Sequence, residues 1–212
     1  MGALHPTYIV GIGGSAGALN AYTGLLDVLP SKTGMAFVFV YHIHPTANTQ
    51  LALILSRHTT MPVRLASNSM LIHANHVYVI PQGTDLLIEG EAFKVISPRT
   101  RRNNQIDLFF ISLAEAMGKR AISIILSGYD GDGTAGCKHI KAKGGTTFTQ
   151  DMSAEVTDMP LSAQNSGCID FGRHVLGKGC TSLCLDVLAS RGTVAIITRE
   201  DYGDRTFAQS LR

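Results

Sequence analysis

The sequence predicts an α/β fold in three layers, a doubly wound, mainly parallel sheet with helices on both faces and a small antiparallel hairpin appendage. Two observations lead to this prediction. Segments that are almost entirely apolar alternate along the chain with segments whose apolar residues recur at helical spacing. Only the middle of the chain departs from this alternation, with short strand-like runs that flank a turn.

The beginning and the later part of the chain share one order of strand, turn and helix. At the beginning, a strand at Tyr8–Gly11 precedes a glycine-rich turn at 13–17, a helix to about Leu29 and the apolar strand Met35–Tyr41. A strand that is apolar throughout suits the buried centre of a parallel sheet. The later elements are a helix from Ile106 to Met117, the strand Ala121–Leu126, a turn at 128–133, the helix Thr134–Lys143 and the strand Thr146–Thr149.

The middle of the chain has a different character. A helix with Thr46 or Asn48 as its N-cap is expected to reach about Arg57. Short segments of strand type follow, and Glu89-Gly90-Glu91 lies where a hairpin turn is expected. These segments are Val77–Pro81, Leu86–Glu89 and Ala92–Ser97. We expect them to form the antiparallel appendage.

The composition is that of one folded domain. Of the 212 residues, 45% are hydrophobic and 16% are charged, and the net charge is +2. A sizeable core is therefore expected, and neither nucleic acid nor a membrane is an expected partner. We expect a single domain over 1–212 with its core at about 8–190, and the role of 191–212 is left open.

The sequence also predicts a cytoplasmic location. No apolar stretch reaches the roughly 18 residues of a transmembrane helix, and the N-terminus lacks the layout of a signal peptide. The cysteines form no C-x-x-C pair, and a chain of this size needs no disulfide to fold, so reduced thiols are expected. The cysteines are Cys137, Cys168, Cys180 and Cys184.

The first turn, Gly13-Gly14-Ser15-Ala16-Gly17, fits the pattern G-x-S-x-G between a strand and a helix. In a nucleophile elbow, small neighbours allow a strained serine backbone to expose its hydroxyl. Ser15 would also lie at a helix N-terminus, where free N–H groups can stabilise an oxyanion. The alternative is that Ser15 only caps the helix.

The same stretch fits the dinucleotide fingerprint G-x-G-x-x-A through Gly11, Gly13 and Ala16. That fingerprint calls for an acidic residue at the end of the next strand, and this chain has Tyr41 and His42 there. A phosphate-binding P-loop is excluded because no Gly-Lys-Ser/Thr follows. A nucleotide- or phosphate-binding module that uses the Gly11–Gly17 turn stays open as an alternative.

Two further strand ends carry a candidate base and a candidate acid. His42 follows its strand directly and is the better general base, whereas His44 is a loop residue and the pair lacks a third metal ligand. Asp132 opens a helix whose N-terminus would keep it ionised, so that it can orient a histidine ring. Ala135 and Lys141 exclude a calcium loop there. Taken singly, His42 could be a surface histidine and Asp132 a helix cap.

The carboxyl ends of parallel strands meet at one sheet edge, so Ser15, His42 and Asp132 are expected to lie together. Together they predict a serine hydrolase with nucleophile, base and orienting acid, which requires no metal or cofactor. The candidate oxyanion and pocket residues are Gly14, Ala16, Gly128 and Tyr129. The order Ser…His…Asp differs from the Ser…Asp…His order of the α/β-hydrolase fold, so that family is not assigned.

These motifs resemble the catalytic domain of the chemotaxis protein-glutamate methylesterases, the CheB family. The resemblance extends from Tyr8 to about Asp186 and is densest at 10–17 and 42–46. Further matching segments are 76–81, 126–128, 132–136, 143–145 and 150–151. In style the segments are most similar to methylesterase domains fused to a receptor methyltransferase.

The resemblance implies an enzyme of chemotaxis signalling that hydrolyses glutamate methyl esters on the cytoplasmic helices of chemoreceptors. In many members it also implies deamidation of receptor glutamine. The serine, histidine and aspartate of the family fall on Ser15, His42 and Asp132. A receiver domain of a phosphorelay or a methyltransferase domain is an implied partner, in cis or in trans, and we expect no receiver domain within this chain.

Several positions depart from the usual pattern of the resembled family. Tyr41 stands in place of glutamine, and Tyr129 in place of methionine or threonine. Asp130 and Gly131 replace a glycine followed by asparagine or serine, and Leu161 replaces an arginine. Because these positions border the pocket and a docking loop, a catalytically inactive signalling domain of the same fold is a further alternative.

Overall fold

The structure is a computed structural model that describes residues 5–42, 50–101 and 103–171. Its strands are β1 Ile9–Gly14, β2 Ala36–Tyr41, β3 Val63–Leu65, β4 His76–Val79, β5 Asp85–Glu89, β6 Ala92–Ile96, β7 Ala121–Ile125 and β8 Thr146–Thr149. Its helices are α1 Leu19–Val28, α2 Leu51–Leu55, α3 Gln105–Met117, α4 Thr134–Ala142 and α5 Asp158–Asn165, and a 3₁₀ turn at Gly118–Arg120 joins α3 to β7.

The main sheet has six strands in the order β3-β4-β2-β1-β7-β8. Every pairing within it is parallel. The chain passes from β1 to β2 on one side and later returns to β7 on the other side of β1. The strand order therefore reverses beside β1, and in open α/β sheets ligands bind at such a switch point, outside the carboxyl ends of the strands.

Alternate side chains of the central strands enter two cores, one on each face of the sheet. Val10 and Phe39 pack in the core that is covered by α1 and α2. Ile9 and Val38 pack in the opposite core, together with side chains of α3, α4 and α5. Helices thus cover both faces, and the predicted three-layer α/β fold is confirmed.

The middle of the chain differs from the prediction in one strand. The segment predicted as Val77–Pro81 forms β4, which pairs in parallel with β2 in the main sheet. Only β5 and β6 form the antiparallel hairpin. A short apolar run carries no information on the direction of its partner, which explains the error. The structure adds β3 and α5, which were not predicted, and the expected caps Thr46 and Asn48 lie outside the described residues.

β1 continues through Gly14, although the sequence predicts its end at Gly11. Close packing explains its glycines. A Cβ on Gly11 would lie 2.7 Å from Phe110 Cε1, and a Cβ on Gly13 would lie 2.5 Å from Ile106 Cγ2. Both neighbours belong to α3, so these glycines let α3 approach the centre of the sheet. They are therefore strand residues covered by a helix, which argues against the dinucleotide-binding alternative.

Within the described ranges, no helix combines the length and apolar character needed to cross a membrane. Cys137 and Cys168 are free and buried. A hydrogen bond from Cys137 lowers the pKa of the Cys168 thiol to about 6, although burial opposes the shift. Cys180 and Cys184 lie outside the described residues.

Candidate active site

The carboxyl ends of β1, β2 and β7 carry Ser15, His42 and Asp132 to one edge of the sheet. Gly14 lies opposite Tyr41 in the parallel register of β1 and β2. Ser15 and His42 are therefore the first residues beyond two neighbouring strand ends. On the other side of β1, the Ser15 N–H donates to the Ser127 carbonyl at 2.8 Å. Ser15 is thus held between the ends of β2 and β7.

His42 and Asp132 form a short side-chain pair. Nε2 of His42 lies 2.6 Å from Oδ2 of Asp132, and the two side chains are 9% and 0% exposed. An ionised carboxylate only accepts hydrogen bonds, so Nε2 carries the proton. Nδ1 is then the ring nitrogen with a free lone pair, and it is the one that can act as a base.

The Asp132 carboxylate lies at the N-terminus of α3. Oδ2 accepts a hydrogen bond from the Ile106 N–H at 3.0 Å, and Oδ1 accepts one from the Asp107 N–H at 2.9 Å. Oδ1 also accepts from the Gly133 N–H at 2.9 Å. The sequence assigns this role to α4, the helix that follows Asp132, and Gly133 is the N-cap residue of that helix. The two N–H groups of α3 are additional donors that the sequence did not indicate, and the positive end of the α3 dipole also faces the carboxylate.

The surroundings of Ser15 differ from a nucleophile elbow. Ser15 is not among the described residues with left-handed backbone, so the predicted strain is absent there. Its carbonyl accepts from the Ala18 N–H at 3.2 Å, and α1 begins only at Leu19. Ser15 therefore precedes the helix instead of lying at its N-terminus. Ser15 and His42 are both described, and no hydrogen bond joins the hydroxyl to the ring.

The predicted oxyanion and pocket residues divide into two groups. Gly14 faces the core under α1, since a Cβ there would lie 2.5 Å from the Tyr22 hydroxyl oxygen. Gly128 lies against the Ser15 side chain, but its N–H already donates to the Val156 carbonyl at 3.0 Å. In the part of the chain that the structure describes, the N–H groups of Ala16 and Tyr129 have no hydrogen-bond acceptor, and they are the candidate oxyanion donors.

Ser127 links the segments around the site and was missed by the sequence analysis. Its hydroxyl donates to the Ala16 carbonyl at 2.7 Å and accepts from the Val156 N–H at 2.9 Å. Its own N–H donates to Oε1 of Gln150 at 3.0 Å. A buried serine directly after an apolar strand is the only sequence signal that points to such a role. Ser127 fixes the turn that follows Ser15.

A second carboxylate, that of Asp130, lies near the His42 ring. Oδ2 of Asp130 lies 3.9 Å from Nδ1 of His42, a proximity that the sequence did not predict.

The described residues contain no candidate metal site. Across residues 5–42, 50–101 and 103–171, no group of three His, Cys, Asp or Glu side chains is arranged to hold a metal ion. His44, the second histidine considered from the sequence, lies outside those ranges.

A small cleft opens at the carboxyl ends of β2 and β4, and Tyr41, the residue before His42, lines it. Polar side chains that line it include Tyr41, Gln82, Thr84, Arg99 and Gln105. Oδ1 of Asp85 and the Arg101 carbonyl hold the Gln105 amide, at 3.2 and 2.7 Å. Within the wall of the cleft, the Gln105 side chain is thus fixed by hydrogen bonds.

Comparison with known proteins identifies the family. The sequence profile of the CheB methylesterase family matches residues 10–176. The chain belongs to the CheB methylesterase family. A crystal structure of the CheB methylesterase catalytic domain of Thermotoga maritima superposes with a TM-score of 0.71 at 26% identity, over 77% of this chain and 90% of that one.

Curated relatives agree with membership of the CheB family. A Leptospira interrogans protein named for protein-glutamate methylesterase and protein-glutamine glutaminase is 34% identical over 164 residues, which cover 76% of this chain and 85% of that protein. The protein-glutamate methylesterase/protein-glutamine glutaminase of Photorhabdus laumondii is 30% identical over 79% of this chain. The match covers 50% of the length of the Photorhabdus protein.

Proposed function

We propose that this chain is a protein-glutamate methylesterase in which Ser15 is the nucleophile, His42 the general base and Asp132 the acid that orients His42. The observation that carries the proposal is the 2.6 Å contact between His42 Nε2 and Asp132 Oδ2. His42 follows β2, and Ser15 follows the neighbouring strand β1. The names of the relatives from Leptospira and Photorhabdus support the choice of substrate and reaction.

In the first half of the reaction, the Ser15 oxygen attacks the carbonyl carbon of a glutamate methyl ester. Its proton passes to Nδ1 of His42, and Asp132 stabilises the imidazolium that forms. The Ala16 and Tyr129 N–H groups are the donors for the oxyanion of the tetrahedral intermediate. His42 then gives the proton to the departing methoxide, which leaves as methanol.

In the second half, His42 takes a proton from water, and the water oxygen attacks the acyl-enzyme. The bond from the acyl carbon to the Ser15 oxygen then breaks, His42 returns the proton to that oxygen, and the glutamate carboxyl group is released. Both halves require the Ser15 oxygen within about 3 Å of Nδ1, a distance that free enzymes often reach only with substrate bound.

The surface around the site suits a protein substrate. Tyr129 is 61% exposed and Met152 is 74% exposed. The segment that contains Tyr129 is joined to the segment that contains Met152 by a hydrogen bond from the Gly128 N–H to the Val156 carbonyl. Exposed aromatic and methionine side chains are typical of protein contact surfaces. We propose the methylated cytoplasmic helices of chemoreceptors as the substrate, with receptor glutamine as a second substrate because both relatives are named for glutaminase activity.

The proposal extends to the setting of the enzyme. We propose that residues 1–212 form a single methylesterase domain that works in the cytoplasm, where the receptor helices are found. A receiver or methyltransferase domain is the proposed regulatory partner, in cis or in trans. The proposed reaction uses water together with side chains and backbone groups of this chain, so chelators are expected to leave its rate unchanged.

The variant Ser15→Ala tests the proposal. It is expected to abolish methanol release from a methylated receptor fragment and labelling by a fluorophosphonate probe, while the unfolding midpoint stays the same. Ser56→Ala is the matched control, because its hydroxyl donates to the Leu53 carbonyl at the end of α2, away from the site. Full activity of Ser15→Ala would refute the assignment, and a wild-type chain that neither labels nor releases methanol would favour an inactive signalling domain.

A further inference from the structure

Asp130 has a backbone conformation that favours glycine. Its φ is +68°, in the left-handed region that residues with a Cβ rarely adopt. Aspartate tolerates this region better than most residues, because its carboxylate can bond to nearby backbone groups. A backbone outlier of this kind beside a reactive side chain points to a functional constraint.

The Asp130 carboxylate is held by two donors and faces the His42 ring. Oδ1 accepts from the Asp132 N–H at 2.9 Å, and Oδ2 accepts from Nδ2 of Asn103 at 3.0 Å. Oδ2 also lies 3.9 Å from Nδ1 of His42. The ring therefore lies between two carboxylates, with Asp132 at Nε2 and Asp130 on the side of Nδ1.

We propose that Asp130 is a second acidic group of the site, a positioning residue that acts on His42 through its charge. The inference rests on the proposed function. When the bond from the Ser15 oxygen to the carbonyl carbon forms, the O–H bond breaks and the proton moves to Nδ1, so the ring becomes an imidazolium. Asp130 stabilises that positive charge. Because 3.9 Å exceeds hydrogen-bond distance, Asp130 leaves Nδ1 free to accept the proton.

The solvent exposure of Asp130 limits how strongly its charge can affect the reaction rate. The Asp130 side chain is 36% exposed, so water and salt screen its charge partly. Loss of the charge is expected to slow acylation of Ser15 roughly fivefold. The Michaelis constant is expected to stay unchanged, because the imidazolium exists only after proton transfer.

Two substitutions separate charge from structure. Asp130→Asn keeps an oxygen for the Asp132 N–H and tolerates the same backbone, but it removes the charge. Asp130→Gly suits φ +68° and removes the side chain. The matched control is Glu115→Gln, which removes one negative charge near the far end of α3, where Glu115 pairs with Lys143 at 2.8 Å. Acylation of each variant by p-nitrophenyl acetate is measured at low and high salt, with Ser15→Ala as the blank.

Both Asp130 variants are expected to have a lower kcat than wild type and an unchanged KM. The difference in kcat between these variants and wild type is expected to decrease at high salt. Glu115→Gln is expected to react at the wild-type rate. A purely structural role predicts full activity for Asp130→Gly, since glycine is relaxed at this φ, and no salt dependence. Wild-type acylation by Asp130→Asn would overturn the inference and leave the proposed function intact. Equal rates for wild type and Ser15→Ala would overturn the proposed function, and this inference with it.

Discussion

Asp107 and Asp132 cap each other's helices. Asp132 precedes α4, yet its carboxylate accepts from the N–H groups of Ile106 and Asp107 in the first turn of α3. Asp107 lies in that first turn, and its Oδ1 accepts from the Gly136 N–H of α4 at 2.7 Å. The starts of α3 and α4 are thereby tied together around the carboxylate that holds His42.

The exchange of caps predicts that two substitutions of Asp107 differ in their effect on stability. Asp107→Ala leaves the Gly136 N–H without its acceptor and is expected to lower the free energy of unfolding by about 1 kcal/mol. Asp107→Asn keeps the acceptor oxygen and is expected to retain the cap. Urea unfolding of both variants measures the difference. Equal destabilisation by Ala and Asn would show that the hydrogen bond does not matter.

The charge of Asp107 predicts a pH dependence. Burial raises the pKa of this carboxyl, the Gly136 N–H offsets the rise in part, and the charge of Asp132 adds to it. Because the folded pKa lies above the unfolded value of about 4, the stability from Asp107 is complete below about pH 4 and is lost as the pH rises through the folded pKa. Asn does not titrate. The stability of Asp107→Asn relative to wild type is therefore expected to increase from pH 4 to pH 7, and a constant difference would contradict the prediction.

Ser127→Ala is expected to lower kcat about tenfold, equivalent to about 1.4 kcal/mol, with little change in KM. The substitution removes the hydroxyl that joins Ala16 to Val156, so the turn with the proposed oxyanion donor loses its support. Ser123→Ala is the control, because that hydroxyl is equally buried on β7 but contacts Cys137 Sγ at 3.3 Å. If both variants lose the same activity, the role of Ser127 in the site is disproved.

The Tyr22 hydroxyl predicts a stabilising substitution. It is buried and finds no hydrogen-bond partner within the described residues, and burial raises the pKa of Tyr22 strongly. Tyr22→Phe removes an unsatisfied polar group and is expected to raise the free energy of unfolding by about 1 kcal/mol. Tyr78→Phe is expected to have the opposite sign, since the Tyr78 hydroxyl accepts from the His73 N–H at 2.9 Å. Thermal unfolding of the pair gives the test, and a loss of stability in Tyr22→Phe would contradict it.

Gly13→Ala is expected to destabilise the protein by about 1–3 kcal/mol through overpacking. Its Cβ would lie 2.5 Å from Ile106 Cγ2, and a displaced Ile106 also withdraws an N–H from Asp132, so activity is expected to fall as well. Gly24→Ala is the matched control. Apart from its chain neighbours and the backbone of α1, no atom of the described residues lies within 4 Å of the new Cβ. Gly24→Ala is expected to stabilise the helix by about 0.5–1 kcal/mol. A neutral Gly13→Ala would contradict the packing explanation.

The fold class and the meeting of Ser15, His42 and Asp132 at one sheet edge were predictable, because both depend on local signals. Apolar strands alternate with helical spacing, and each of the three residues follows a strand directly or within one turn. Parallel strands then bring these residues together without further information. The direction of a strand relative to its neighbour has no such local signal, so the sequence placed β4 in the antiparallel hairpin.

The partners of the site residues were not predictable, because they depend on tertiary packing. The N–H of Ile106 reaches Asp132 across 26 residues of sequence, and nothing near either residue indicates that pairing. The glycines of β1 fit a ligand-binding pattern equally well, and only the position of Phe110 and Ile106 over the strand reveals their use. The segment of α5 resembled a loop in the sequence, although Pro160 is compatible with the first turn of a helix.

The pairing of His42 with Asp132 spans 90 residues, and it crosses the sheet from β2 over β1 to β7. Closing so long a loop costs chain entropy that is recovered only when the intervening strands have docked. The strands that lead to Ser15 and His42 precede β7 in the chain. The proposed triad is therefore incomplete until β7 has joined the sheet and brought Asp132 to His42.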